Sequence, residues 1–440
     1  MLRKNDVLDV DVIDMNYLGL GVAKHEGAVI VISGAVTGDK LTVKIIKVAQ
    51  GYFVARIEKQ LTASPYRAEP ACPDFKRCGG CAYQHISFEY EQEQKRRRVE
   101  NEFARFGFKT VKVHTPVAAN ETSYRNKLQC PVSESGEVGF YASRTHDIIP
   151  INECLLQEEL TRPVFEYLKD CVKRSPIKGL RHLYVRCGKG TGEVMVCFVC
   201  ATDSFKGEKE LAEEIMVKFP EVKSVVINVN KKDTNVILGE KCRVIAGNEA
   251  ITDILCGIKF KIHPLSFYQV NRDCTELLYR EAARLADVKP DEMLVDLYCG
   301  AGTVGLCINS VTPAKKLIGV EIVPEAVENA RYNAKANGVE SAEFYCCAAE
   351  DMDFGSADVV VVDPPRKGCA PSLIEYIGKM KPSRVVYISC SPDTLARDCT
   401  EFVKYGYTFD EVRPFNMFPR TTHVESVVCL TRKQAKIGLK

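Results

Sequence analysis

DLYCGAGTVG, residues 296–305, joins the end of an apolar run to the start of a helical one. Its glycines, Gly300, Gly302 and Gly305, form a G-x-G-x-x-G pattern. At that spacing glycines let the backbone turn tightly and approach a ligand closely. In the following segment, KLIGVEIV, Glu321 closes the next strand, and PEAVENARYNAKANG reads as a helix. AEFYCCAA, ADVVVVDPP and RVVYISC then alternate with helical segments near LIEYIGKM and TLARDCTEFVKYG. Strands that are apolar nearly throughout, interleaved with helices, predict a mostly parallel sheet covered on both faces. TFDEVRPFNMF and VESVVCLTR follow one another without a helix, which predicts a terminal antiparallel hairpin.

The rest of the chain has a different rhythm. From residue 5 to about 60, VLDVDVIDM, VIVISGAV and KLTVKIIKV alternate with period two and predict a small β-barrel. SFEYEQEQKRRRVENEFARFG predicts a helix with Val99, Phe103 and Phe106 on one face. Glu91/Lys95 and Glu93/Arg97 are i,i+4 pairs, and the KRRR run, Lys95 to Arg98, reads as a solvated face. Residues 123 to about 262 mix strands (HLYVRCG, EVMVCFVC, SVVINVN) with a helix around GEKELAEEIMVKF, an α+β region. The expected division is a barrel at 1–60, a central α+β domain at 61–265 and an α/β domain at 266–440, with helix 87–107 free to pack elsewhere.

Bulk properties narrow the classes. The 440 residues carry a net charge of only +2, so any nucleic-acid footprint has to be local. MLRKNDVLDVDV lacks the apolar core of a signal peptide, and no apolar run approaches the ~20 residues of a membrane span. A soluble, cytoplasmic chain is expected. Its 20 cysteines are then core fillers, metal ligands or nucleophiles rather than disulfides. Cys197 and Cys200 in VMVCFVC read as core.

The strand ends carry the chemistry. Glu321 is placed to accept hydrogen bonds from ribose hydroxyls, which suits a dinucleotide or S-adenosylmethionine equally. Asp363 in VVVVDPPRKG lies on the same rim, at the carboxyl end of the fourth strand. So does Cys390 in SCSPDTLARD, followed by Ser391 as N-cap, Pro392 at N1 and Asp393 in the first turn. A helix N-terminus favours thiolate. Hydride transfer requires no such cysteine, so the methyl donor is preferred. A thiolate that adds to C6 of a pyrimidine makes C5 nucleophilic enough to accept a methyl group, after which a base removes the C5 proton. Glu425 in THVESVV is the candidate base.

A second group of cysteines lies in CPDFKRCGGC, where Cys72, Cys78 and Cys81 are spaced C-x5-C-x2-C. Three close cysteines suggest a metal site short of one ligand, with Cys154 the nearest candidate and Cys130 its competitor. A structural zinc satisfies that spacing.

Taken together, these motifs resemble the RNA uracil-C5 methyltransferase family, in particular its ribosomal-RNA branch with an N-terminal TRAM domain, over essentially the whole chain. The resemblance implies a class I S-adenosylmethionine-dependent methyltransferase domain, Rossmann-like, preceded by an OB-like TRAM barrel that binds RNA and by the central domain. It implies Cys390 as nucleophile and Glu425 as base. Gln269 in SFYQVN, Tyr298, Gly300, Gly302, Glu321 and Asp363 would bind S-adenosylmethionine. Cys72, Cys78, Cys81 and Cys154 would hold a 4Fe-4S cluster, with zinc the alternative. YRNKLQ, Tyr124 to Gln129, would lie near the substrate side, with Arg125 and Lys127 on phosphates. The implied substrate is 23S rRNA, bound by a monomer with no membrane and no protein partner. A tRNA uridine enzyme, an RNA cytosine-C5 methyltransferase and a catalytically inactive iron–sulfur RNA-binding protein are the alternatives. Two positions depart from the family pattern: Ser391 and Asn416 stand where Asn and Asp are expected.

Overall fold

The computed structural model describes residues 2–432 except Arg144, Asp233 and Phe354. The outer ends of the first and last expected segments, residue 1 and residues 433–440, lie outside the described residues. Strands β1 (Val7–Met15), β2 (Gly21–His25), β3 (Ala28–Ile32), β4 (Lys40–Ala49) and β5 (Tyr52–Thr62) close into a barrel in the order β1-β2-β3-β5-β4. Alternation puts Val10, Val12, Ile30, Ile32, Leu41, Val43 and Ile45 inside it, and closure leaves no free sheet edge. The barrel is tied to the chain that leaves it. Arg67 donates to both oxygens of Asp39 at 2.8 and 2.6 Å, and Met15 and Val36 pack against Tyr83, Ile86 and Tyr90.

Helix α1 (Phe88–Arg105) follows, capped by the Ser87 side chain. It packs on the far α/β domain, where Val99 and Phe103 join the core of one sheet face. The KRRR run is therefore not the solvated face its charge predicts. Lys95 is 1% exposed, Arg97 reaches Asp14 of the barrel at 3.4 Å, and Arg98 donates to the Thr422 carbonyl at 2.8 Å. The Glu91/Lys95 pair forms at 2.9 Å, whereas Glu93 pairs with Arg96 rather than with Arg97.

After β6 (Lys112–Val113), the central domain builds a five-stranded sheet, order β13-β12-β11-β10-β7, from β7 (Lys127–Pro131), β10 (Leu180–Gly188), β11 (Glu193–Cys200), β12 (Val222–Val229) and β13 (Lys241–Gly247). The short hairpin β8 (Gly139–Tyr141) and β9 (Ile148–Pro150) lies beside it, and helices α2 (Arg162–Arg174) and α3 (Glu208–Lys218) cover one face. Cys197 and Cys200 are fully buried on opposite faces of this sheet, as the apolar context requires. The hairpin β14 (Ile251–Leu255) and β15 (Ile258–Ile262) leads onward.

The last domain opens with α4 (Arg272–Ala286), capped by Asn271. Its strands are β16 (Met293–Leu297), β17 (Lys316–Glu321), β18 (Ala342–Cys346), β19 (Val359–Val362) and β20 (Arg384–Ser389), then β21 (Tyr407–Thr408), β22 (Glu411–Phe415) and β23 (Glu425–Arg432). The sheet runs β18-β17-β16-β19-β20-β23-β22-β6. The first five are parallel, while β23 is antiparallel to both β20 and β22, the expected closing hairpin. Residues along each central strand alternate between two cores. Val359 and Val361 face α4, α5 (Thr303–Val311) and α6 (Pro324–Ala336). Val360 and Val362 face α1, α7 (Pro371–Met380) and α8 (Pro392–Lys404). Burial on both faces is why these strands read as continuous apolar runs. Among the described residues no helix is long and apolar enough to cross a membrane.

Candidate active site

The glycine turn is strained where a ligand must come close. Gly300 and Gly302 adopt left-handed φ of 54° and 76°, and Tyr298 does so at 64° without the freedom of a glycine. A non-glycine residue held there is a recurrent mark of a ligand-binding turn. At Gly305 a Cβ would come within 2.8 Å of Asp296 Oδ2, the same atom that accepts the Gly305 N–H at 2.7 Å. The third glycine thus lets α5 lie directly on β16. Asp296 is fully buried, and that burial raises its carboxyl to about 8. Glu321 accepts from the backbone N–H of Gly300 at 3.1 Å, of Ile322 at 2.8 Å and of Val323 at 3.0 Å. A carboxylate has about four lone-pair sites, so a further donor can be accepted.

Cys390 leaves β20 where β23 begins. Ser389 is paired with Ser426, so Cys390 and Glu425 come next on the two strands, opposite each other. Asp363 follows β19, which lies on the other side of β20. Burial lifts Glu425 to about 8, with Asp363 adding to the rise and Arg366 opposing it. Burial also lifts Asp363 to about 7. The Cys390 thiol goes up to about 11, again through burial first, then the charges of Glu425 and Asp363. This reverses the expected activation by the helix end. A helix terminus contributes ~0.3–1 kcal/mol, less than burial beside two carboxylates. Ser391 holds the N-cap position of α8, but its hydroxyl makes no bond to the helix backbone and donates instead to Asp393 Oδ1 at 2.6 Å.

Gln269 is half-buried in the segment entering α4. Its carbonyl accepts from Asn126 Nδ2 at 3.0 Å, and Asn271 Nδ2 reaches the Met417 carbonyl at 3.0 Å. The segment is thereby fixed to the loop that precedes Glu425.

A model of tRNA (uracil-5-)-methyltransferases matches residues 88–433, and a TRAM domain model matches residues 2–57. The chain belongs to the uracil-5 methyltransferase family. An uncharacterized RNA methyltransferase of Halalkalibacterium halodurans is 42% identical over 98% of both chains. One of Clostridium tetani is 38% identical over 98% of this chain and 97% of its own. The crystal structure of Pyrococcus abyssi tRNA (uracil-54, C5)-methyltransferase in complex with S-adenosyl-L-homocysteine is 29% identical, covering 96% of this chain and 99% of that one at a TM-score of 0.80. The protein is accordingly an S-adenosylmethionine-dependent RNA uracil-5 methyltransferase with a TRAM barrel and a class I catalytic fold.

In this uracil-5 methyltransferase the second cysteine group surrounds a cavity of about 380 Å³ in the central domain. Cys72, Cys78, Cys81 and Cys154 all line it, whereas Cys130 is buried in the core beneath. The Gly80 N–H and Gln84 Nε2 donate to the sulfurs of Cys78 and Cys81, at 3.4 and 3.8 Å. Among the described residues no three His, Cys, Asp or Glu side chains converge closely enough to hold a single metal ion. Arg125 and Lys127 line the same cavity, not an open phosphate-binding face. Sequence reasoning also passed over Arg366, the exposed cation felt by both Cys390 and Glu425. Its place in VVVVDPPRKG was the available signal.

Proposed function

We propose that this methyltransferase forms 5-methyluridine in 23S rRNA through a covalent bond between Cys390 Sγ and C6 of the target uracil. The observation that carries the reading is the facing of Cys390 and Glu425 across adjacent strand ends, with Asp363 on the strand beyond. Cys390 enters as thiolate, its proton released to solvent so that Glu425 stays free for the last step. Attack at C6 breaks the C5–C6 π bond and leaves an electron pair shared between C5 and O4. S-adenosylmethionine, when bound, supplies the electrophilic methyl group to C5. Glu425 then removes the C5 proton, the double bond re-forms, and Sγ departs. A carboxyl held near neutrality is suited to that step. Gln269, Tyr298, Gly300, Gly302, Glu321 and Asp363 are assigned to the methyl donor, and the uracil has to be unstacked to reach Cys390.

Residues 1–60 are assigned to RNA binding, 61–265 to the central domain and 266–440 to catalysis, with α1 counted with the last. Cys72, Cys78, Cys81 and Cys154 are assigned to a 4Fe-4S cluster. Four thiols spread around a cavity suit a cage of several atoms better than one tetrahedral zinc. No step of methyl transfer uses it.

The ribosomal substrate is supported by the resemblance of the whole motif set, cysteines included. A tRNA uridine is favoured by the Pyrococcus abyssi enzyme, whose 96% coverage cannot leave out the barrel. Incubation with labelled methyl donor and purified 23S rRNA or tRNA separates the two. Target RNA carrying 5-fluorouridine should trap wild type as a stable protein–RNA adduct and leave Cys390→Ala untrapped; trapping by the alanine variant would remove Cys390 as nucleophile.

A further inference from the structure

The loop 416–424 joins β22 to β23 and delivers Glu425, its two ends being paired at Phe415 and Glu425. It has no regular secondary structure, and Arg420 is held at a left-handed φ of 66°. What fixes it comes from elsewhere in the chain. Glu91 and Lys95 lie one turn apart on α1, 0% and 1% exposed. The Glu91 carboxylate accepts from the Arg420 backbone N–H at 3.0 and 3.1 Å and from Asn416 Nδ2 at 2.9 Å. The Lys95 ammonium donates to Asn416 Oδ1 at 2.5 Å and to the Phe418 carbonyl at 3.1 Å. Gln92 Oε1 accepts from Asn416 Nδ2 at 2.6 Å.

Asn416 therefore meets an acid with its nitrogen and an ammonium with its oxygen. A carboxamide does both without gaining or losing a proton. Apolar packing would hold a loop at lower desolvation cost, but it would not fix one orientation of the chain leading into Glu425.

We propose that Glu91, Lys95 and Asn416 are positioning residues that set loop 416–424 and so aim the Glu425 carboxylate at the C5 proton. The inference rests on the reading of Glu425 as base. Aspartate at 416 would face a second carboxylate across 2.9 Å, and two buried acids that close cannot both ionise. Replacing Glu91 by glutamine at the same time restores one carboxylate, one carboxamide and one ammonium, and the Gln92 amide can turn to donate.

The test compares wild type, Glu91→Gln, Asn416→Asp and the double variant on two RNAs. Trapping on 5-fluorouridine RNA reads attack and methyl transfer without proton removal, whereas turnover on ordinary RNA needs all three. Each single variant should lose roughly 10–100-fold in turnover while its trapping rate changes less than about threefold. The unresolved adduct should also persist on ordinary RNA. The double variant should regain most of the lost turnover. Equal losses in trapping and turnover would mean the residues only maintain the fold. A double variant no better than the worse single would overturn the coupling. Should Asn416→Asp prove too unstable to assay, Glu91→Gln alone still gives the split between the two RNAs. Failure of wild type to be trapped would instead remove the adduct mechanism itself.

Discussion

In the proposed reaction Glu425 finishes the chemistry and does not start it. Glu425→Gln should allow attack and methyl transfer and then stop, accumulating an adduct on ordinary RNA that gel electrophoresis resolves. In wild type the rate of adduct release should rise about tenfold per pH unit until about pH 8 and then level off, because the carboxyl must lose its proton before it can accept one. Stability should move the opposite way. Glu425 is neutral in the folded protein up to about pH 8 but ionised in the unfolded chain above its ordinary value of 4.5. The folded state binds more protons in that window, so stability falls as pH climbs through it. Glu425→Gln removes this burden, on the order of 4 kcal/mol at pH 8.5 and little at pH 4.5. Denaturant melts of both proteins at the two pH values check the sign. The raised Cys390 thiol belongs to the same cluster of groups. Sequence hid it because burial, the main cause, is set by the fold, and the two carboxylates that add to it lie at positions 363 and 425, apart from Cys390 in the chain but on neighbouring strand ends.

At the level of elements, the central strands were legible because burial on both faces leaves little room for polar residues along them. The glycine turn was legible because its φ values demand glycine. Gly305 is the exacting position, where a methyl group would meet Asp296 and Leu317 at 2.8 and 3.0 Å. Gly305→Ala should cost about 1–3 kcal/mol of stability and weaken S-adenosylmethionine binding in calorimetry, since α5 must move off β16. Less legible was α1. Its KRRR run looks solvated in isolation, and two of its residues find partners more than 300 positions away: Lys95 and Asn416 are separated by 321, Arg98 and Thr422 by 324. The pairing of β6 with β22 was equally hidden, because a two-residue strand leaves no period to detect.

Across the whole molecule, two sites sit in separate layers, the methyl-transfer site on the catalytic sheet and the cysteine cavity in the central domain. If the cavity holds a 4Fe-4S cluster, anaerobically purified protein should contain iron and sulfide and absorb broadly in the visible. Cys81→Ala should lose both signals; a colourless wild type containing zinc would refute the assignment. Helix α1 ties the catalytic layer to the barrel, since it touches Asp14 at one point and the Glu425 loop at others. That placement constrains how the chain is made. During synthesis the barrel and α1 leave the ribosome long before α8, β22 and β23, and until those elements arrive the helix lacks the core that takes Val99 and Phe103 and the loop that holds Lys95. The catalytic domain is therefore discontinuous along the chain, and its assembly has to wait for β22 and β23. Contacts of such long range make for slow folding, and a chain ending before residue 410 would leave Lys95 without the Asn416 and Phe418 oxygens that accept from it.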